Sequence, residues 1–317
     1  MGEPSVEEIE KQYRAEMRRK RFQRFMARFL DILPFLLLIG VVLFLWQYET
    51  AAHRIRLDDN ALTVFLLDVG QGDSVLIHTP TNNVLIDAGE SDQGIKVVRK
   101  LDLLGIDSLD YVINSHPHSD HIGGMADVLE RKTVYNVYFP DIPENLLPTA
   151  GSYSRTLDMI GQKQIPLRTA KNQEVLDLGI AQLRFLSVDN AQFDDLNNCS
   201  LGCLLTYGKT SFFFGGDLET AGEEAFVNAG LIPPVTVLKC SHHGSKTSCT
   251  EKFLEAVAPN AAMISVGAGN DYGHPAAQTL ERLRKFTDVI FRTDQHNTIQ
   301  MVSDGEEVII TPNILLD

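Results

Sequence analysis

Between Leu62 and Thr79 the chain reads LTVFLLDVGQGDSVLIHT, short apolar stretches cut by a Gly/Asp turn, and NNVLIDAG follows at Asn83 to Gly89. Runs this short, rich in Val, Ile and Leu and bounded by Gly, Asp, Pro or Asn, predict successive strands. The period changes at IKVVRKLDLLGI, Ile95 to Ile106, where apolar residues recur with helical spacing. LDYVINSH returns to a strand, GGMADVLERK predicts a helix, and VYNVYFP another strand. Residues 141–170 read as a helix-and-loop insertion. Beyond it AQLRFLSV, LGCLLTYG, TSFFFGGD, VTVLKC, AAMISVG, DVIFRT, TIQMVS and EEVIITP predict strands, with helices in ETAGEEAFVNAG, EKFLEAVA and AQTLERLRKF. Strands first, helices interleaved, and two such halves fit an α/β fold, a four-layered αββα sandwich of two mixed sheets with helices on both outer faces. One domain, 60–317, accounts for the pattern, with the loops of both halves meeting at one edge.

The N-terminus follows another pattern. An arginine-rich stretch, MRRKRFQR, precedes an apolar run from Phe29 to Trp46 that is broken only by Asp31 and Pro34. Such a run lies at the short end of what crosses a bilayer, and Trp46 and Tyr48 sit where an interfacial belt places aromatic rings. The expectation is a basic cytoplasmic segment, 1–28, then a transmembrane signal anchor, 29–48. The basic flank would keep the N-terminus inside and put the large domain outside the cell, held at the membrane by a single pass. A signal peptide cut near Ala52 is the rival reading.

Composition is that of an ordinary globular chain of 317 residues, 44% hydrophobic and 22% charged. Charge changes the picture more. The net −14 is concentrated past residue 31, where 20 Lys/Arg face 36 Asp/Glu. So acidic a body does not attract nucleic acid by itself, and a polyanionic substrate would have to be held locally.

Candidate chemistry gathers at strand ends, where a rigid sheet positions loop residues. Three of the nine histidines fall in VINSHPHSDHIGG, as His116, His118 and His121, with Asp120 among them. Imidazole and carboxylate at this spacing suit Zn²⁺ or Mn²⁺, and two ligand pairs suggest two ions. Two carboxylates end apolar strands where a solvated face is a poor explanation: Asp87 in NVLIDAG and Asp217 in SFFFGGD. Asp217 reads as a ligand, with helix capping as the plain alternative; Asp87 reads as a ligand or as a partner that orients a histidine. In VLKCSHHGSKTS one of His242 and His243 should close the metal site and the other face substrate. VGQGDS lacks the nucleotide-cradling pattern and reads as a tight turn beneath the centre, with Asp68 and Asp73 satisfying hydrogen bonds.

These motifs resemble the metallo-β-lactamase superfamily: HxHxDH is matched by His116, His118, Asp120 and His121, the carboxylate after the second strand by Asp87, and the metal-bridging aspartate by Asp217. More closely the chain resembles the hydrolase domain of competence-type DNA uptake proteins, through DVGQGDS, NSHPHSDHIGG, NNCSLGCLLTYG, FFFGGDLE, KCSHHGSKTS, SVGAGNDYGHP and FRTDQHNTI. The resemblance implies a metallo-β-lactamase-like fold and a nuclease or other phosphodiesterase using one or two ions of Zn²⁺ or Mn²⁺. Where many superfamily members place another histidine before the bridging aspartate, this chain has Asn197-Asn198-Cys199-Ser200. Asn198 or a water would then complete the first ion's shell.

The implied reaction is attack of metal-activated water on a phosphodiester, with single-stranded DNA among the candidate substrates. Asp120 would orient the nucleophile, and Asp217 would bridge the ions. His274 would protonate the leaving group or hold a phosphate oxygen, unless it is a loop residue packed on Pro275. Ser245, Lys246 and Tyr272 are candidate substrate contacts, Lys246 being otherwise an exposed lysine. Many full-length members of the group it resembles also carry a multi-helix channel portion, so a role in uptake would call for a separate membrane channel partner. Hydrolysis of a small lactam, lactone or ester, and a non-enzymatic surface binding module, are the competing readings. The four cysteines lack CxxC spacing; in an exported domain, Cys203 with Cys240 and Cys199 with Cys249 are the expected pairs.

Overall fold

The computed structural model describes residues 57–316 except 59, together with scattered positions between 14 and 41. It divides into two units, Met1–Arg54 and Ile55–Asp317. In the first, the described positions are helical, and Phe25, Phe35 and Leu38 are exposed. The anchor expected over 29–48 lies largely outside the described residues. Among these no helix is long and apolar enough to cross a membrane.

The second unit holds two large sheets. One runs, edge to edge, Val308–Ile314, Thr298–Ser303, Leu62–Leu66, Val75–His78, Asn83–Ile86, Tyr111–Ile113, Val137–Phe139 and Leu167–Thr169. The other runs Ile290–Arg292, Ala261–Ile264, Val237–Lys239, Thr210–Phe214, Gly202–Tyr207, Gln182–Leu186 and Val175–Asp177. Each mixes an antiparallel part with a parallel part. Strand alternation assigns the layers: Leu62, Val64 and Leu66 join Phe185, Phe212 and Phe214 in a core between the sheets. Phe65 and Leu67 point the other way, into a core shared with Val97, Leu101 and Val128 of the outer helices Gly94–Leu103 and Met125–Arg131. Phe213 likewise turns from its neighbours to meet Phe226, Phe253 and Leu283 of the helices Thr220–Asn228, Glu251–Val257 and Ala277–Leu283. Side chains at successive strand positions face opposite ways, so a strand buried on both faces feeds two cores at once. The four-layered αββα architecture follows.

The insertion at 141–170 contains the helix Gly151–Lys163, which lies on the outer helical layer. The strand Val175–Asp177 was not foreseen; it is a three-residue edge whose pattern is too short to register. What matters for function is direction. Asn83–Ile86 pairs in parallel with Tyr111–Ile113, and Thr210–Phe214 with Val237–Lys239 and then Ala261–Ile264. The C-terminal ends of these strands carry every histidine and aspartate of the candidate site.

Candidate metal centre

In the first sheet, Asp87 leaves its strand with a left-handed backbone, φ 60°. Its carboxylate is saturated: Oδ1 accepts the Ser115 N–H at 2.8 Å and the Asn114 amide at 3.1 Å, while Oδ2 accepts the Ser115 hydroxyl at 2.5 Å and His121 Nδ1–H at 2.9 Å. Asp87 is thereby placed to orient His121, and one of its oxygens also lies within 4.8 Å of donor atoms of Asp73 and His121. Donating Nδ1–H to Asp87 fixes the His121 tautomer and turns Nε2 inward.

His116 follows the neighbouring strand and is fully buried, and its Nε2 lies 3.0 Å from His118 Nδ1. His118 caps the short helix Ser119–Ile122, whose first turn presents Asp120 and His121. The VGQGDS turn lies beneath it. A Cβ on Gly72, where φ is +125°, would stand 2.3 Å from the Asp120 carbonyl oxygen, so only glycine lets the turn approach.

The second sheet supplies the rest. Gly216, φ +54°, has room for no side chain against Ser115 and Ser200, and the Asp217 N–H donates to Ser200 Oγ at 3.1 Å. Asp217 thereby reaches across to the first sheet's histidines: Oδ1 is 3.2 Å from His121 Nε2, and Oδ2 is 4.0 Å from His116 Nε2 and 3.5 Å from His243 Nε2. His243 donates Nδ1–H to the Ser265 carbonyl at 3.0 Å and turns Nε2 to within 3.1 Å of Asp120 Oδ2. The two histidines of the pair are placed differently, although His242 Nε2 also comes within 3.9 Å of Asp217 Oδ2. His243 is buried in the cluster, whereas His242, 22% exposed in its side chain, faces the cavity, with Nδ1 2.9 Å from Glu219 Oε1.

One donor atom from each of Asp120, His121, Asp217 and His243 lies within 4.8 Å of the others. Two of those donors, His121 Nε2 and Asp217 Oδ1, are buried and face each other as an ion pair at 3.2 Å without an aligned hydrogen bond. Buried charge of this kind is costly unless it is paired or coordinates a cation. Electrostatics agree. Burial opposes charge on His121, yet Asp217, Asp120 and Asp87 hold its pKa well above the imidazole range. Burial likewise opposes charge on Asp217, but His121 and His243 hold it well below the carboxylate range. A negative cluster that draws protons onto its imidazoles is one that one or two divalent cations fit, through nitrogen and carboxylate donors.

Not every expected ligand joins. Asn198 is correctly placed in sequence but engaged elsewhere: Oδ1 accepts the N–H groups of Glu219 and Gly222 at 3.1 and 2.8 Å, and Nδ2 donates to Asp195 at 2.8 Å. It caps the start of the helix Thr220–Asn228 instead. Its neighbour Asn197 lines the cavity, with a buried, unpartnered Oδ1.

Above the cluster opens a cavity of about 270 Å³ lined by, among others, Gln71, Glu90, Asn197, His242, Tyr272 and His274. Burial, with His242 and His243 nearby, pushes His274 down to about 4, so its imidazole is neutral at pH 7. Ser245 and Lys246 are not brought to this cavity. Ser245 is buried against Thr247 Oγ1 at 3.0 Å and Lys246 stands in solvent, because the loop is tied inward. Arg282 donates to the carbonyls of Lys246, Ser248 and Cys249, and Glu223 accepts the N–H groups of Cys249 and Thr250. All four cysteines are buried free thiols, and Cys249 lies against Cys240 rather than Cys199, contrary to the expected pairs.

Lys239 was missed. It is 2% exposed and its ammonium donates to Asp73 and, at 3.2 Å, to the Gly216 carbonyl. Asp73 Oδ1 in turn lies 3.4 Å from His243 Nδ1. The available signal was a lysine inside the apolar run VTVLKC, since lysine is almost never buried unpaired.

The Metallo-beta-lactamase superfamily profile matches residues 67–268. ComE operon protein 3 of Bacillus subtilis is 31% identical over 255 residues, covering 75% of this chain and 32% of that protein. Recombination protein 2 of Haemophilus influenzae is 31% identical over 234 residues, covering 72% and 27%. The chain thus spans about a third of the length of the curated relatives it matches. Among solved structures, CmlA, a diiron beta-hydroxylase from Streptomyces venezuelae, superposes with a TM-score of 0.50 at 13% identity, over 78% of this chain and 54% of that one, a likeness of fold alone. With layers, motif loops and profile in agreement, the chain belongs to the metallo-β-lactamase superfamily and is similar within it to competence-type proteins.

Proposed function

We propose that the chain hydrolyses phosphodiester bonds in DNA or a nucleotide-like substrate with the help of one or two divalent cations, Zn²⁺ or Mn²⁺. The observation that carries this reading is the convergence of one donor atom each from Asp120, His121, Asp217 and His243 within 4.8 Å of one another, beside a polar cavity that Asp120, Asp217 and His243 line. The names of the matched relatives, competence and recombination proteins, favour nucleic acid as substrate. A cation held there supplies Lewis-acid charge and makes water nucleophilic at neutral pH. His121, His243, Asp120 and Asp217 would hold it, and His116 and His118 would serve a second ion beside Asp217. Asp120, 24% exposed in its side chain and the cluster's most open carboxylate, would orient the attacking water. As the new bond to phosphorus forms, the bond to the leaving oxygen breaks, and the proton lost by the water is balanced, by way of solvent, by the one that oxygen gains. His242 and the neutral His274 would hold substrate oxygens from above. The arginine-rich and apolar N-terminal stretch supports a membrane anchor with the catalytic unit outside the cell, and a role in uptake would call for a separate channel protein.

One observation favours a second reading. Among the described residues the cavity lining contains no lysine or arginine, which suits a small lactam, lactone or ester better than a polyanion. The test is hydrolysis of single-stranded DNA, bis(p-nitrophenyl) phosphate and nitrocefin with Mn²⁺ or Zn²⁺, with metal content measured on the same sample. Cleavage of the two phosphodiesters is the expected result. Turnover of nitrocefin alone would establish the second reading, and metal-free protein inert toward all three would leave a binding module.

A further inference from the structure

The loop Gly267–Pro275 follows the strand Ala261–Ile264 and is stapled from within by one side chain. Asn270 donates Nδ2 to the carbonyls of Gly267 at 2.9 Å and His274 at 2.7 Å, and its Oδ1 accepts the N–H groups of Tyr272 at 3.2 Å and His274 at 3.0 Å. The ring this loop holds up is Tyr272, 71% exposed and part of the lining of the cavity above the cluster. Tyr272 stacks on His274 with centroids 5.7 Å apart and planes at 26°, and His274 stacks in turn over His243 at 6.4 Å and 29°. Stacked rings therefore lead from solvent down to the candidate ligand cluster. Among the described residues no lysine or arginine lines the cavity, and the chain carries a net charge of −14, so a grip on nucleic acid there would rest on contacts with bases more than on phosphate charge.

Resting on the phosphodiesterase reading above, we infer that Tyr272 is a stacking platform for an unpaired base beside the scissile phosphate, which makes single-stranded nucleic acid the substrate class. Every base has a π face, so such a contact tolerates any sequence, and alanine substitution at stacking platforms weakens binding by about tenfold or more. A duplex keeps its bases stacked on one another and would have to extrude one first, at a cost of a few kcal/mol.

The test uses the full chain loaded with Mn²⁺ and a fluorescent single strand, compared with an abasic strand of equal length that carries the same phosphates and no bases. Binding is read by anisotropy with Ca²⁺ in place of Mn²⁺, and cleavage separately. Wild-type protein should bind the base-bearing strand about tenfold more tightly. Tyr272→Phe should keep that preference, and Tyr272→Ala should bring the base-bearing strand down to the abasic level. Equal binding of the two strands by the wild type, or a preference that survives Tyr272→Ala, overturns the platform while leaving hydrolysis intact. Failure of both strands to be cleaved while nitrocefin is turned over overturns the phosphodiesterase reading itself.

Discussion

At the His121–His243 end of the cluster each imidazole is held from behind by a buried acceptor. Asp87 takes His121 Nδ1–H at 2.9 Å and the Ser265 carbonyl takes His243 Nδ1–H at 3.0 Å, so both Nε2 atoms converge on Asp217. At the His116–His118 end the two rings meet each other, with Nε2 and Nδ1 3.0 Å apart. His118 is half-exposed, and the asparagine that stood in sequence where a further ligand was expected is used as a helix cap. The difference teaches that a donor set is organised by what stands behind it. One end is preorganised to take an ion. At the other, His116 Nδ1 lies 3.2 Å from Ser115 Oγ and the paired nitrogens already stand near the spacing of two ligands on one ion. Among the described residues, however, His118 has only His116 beside it and Asp217 Oδ2 is 4.0 Å from His116 Nε2, so that end has fewer donors in place.

The largest effect belongs to the residue the two ends share. Asp217→Ala should abolish hydrolysis, by more than the roughly hundred- to thousandfold that one lost electrostatic contact costs an enzyme, and should empty the site in metal analysis. Retained metal with full activity would show that the two ends do not depend on a common carboxylate.

Next come the ends themselves. His243→Ala should leave the purified protein with almost no bound divalent metal after dialysis, whereas His118→Ala should retain close to one ion per chain. Mass-spectrometric metal counting decides it, and equal loss in both variants would erase the distinction between a braced and an unbraced position.

Asp87→Asn probes the bracing without touching a donor. An amide nitrogen in place of Oδ2 accepts from neither Ser115 nor His121, so the His121 tautomer is no longer fixed. Outer-shell changes of this kind typically lower metal affinity by about ten- to a hundredfold. Chelator competition measures it; unaltered affinity would mean that Asp87 serves only the backbone at Ser115.

Much of this was legible beforehand because the informative residues sit where the hydrophobic pattern stops. A strand buried on both faces has no reason to end in Asp, His or Gly unless its end does something, and SFFFGGD and VINSHPHSDH announce Asp217 and the first histidines on that ground. What stayed hidden depends on side-chain direction. Asn197 and Asn198 are adjacent and chemically identical, and only the turn that sends one to the cavity and the other to the N–H groups of Glu219 and Gly222 separates them. Ser245 and Lys246 follow the histidine pair closely, yet Arg282, thirty-six residues beyond Lys246, ties their loop inward. Lys239 was overlooked because its partner Asp73 lies 166 positions away.

The smallest effect lies in how far the bracing extends behind the second sheet's loop. Glu223 accepts the N–H groups of Cys249 and Thr250 just beyond the histidine pair, and burial pushes its pKa from the ordinary 4.5 up to about 8 despite those two donors. The folded carboxyl therefore stays protonated where the unfolded one has ionised, and between these values the folded state binds more protons. Its contribution is most favourable below about pH 4.5 and is progressively lost as pH rises to about 8, beyond which it is constant. Glu223→Gln removes that slope while keeping an acceptor for one of the two N–H groups. The thermal midpoint of the variant relative to wild type should accordingly rise between pH 5 and pH 8, by roughly 2–4 °C for each kcal/mol recovered in a domain of this size. Both proteins share the same cluster histidines, so the cluster's own titration cancels in the difference. A difference that stays flat with pH would mean that the two backbone donors and Arg282 keep Glu223 ionised, and the loop behind His243 would then be held by charge rather than by a neutral acid.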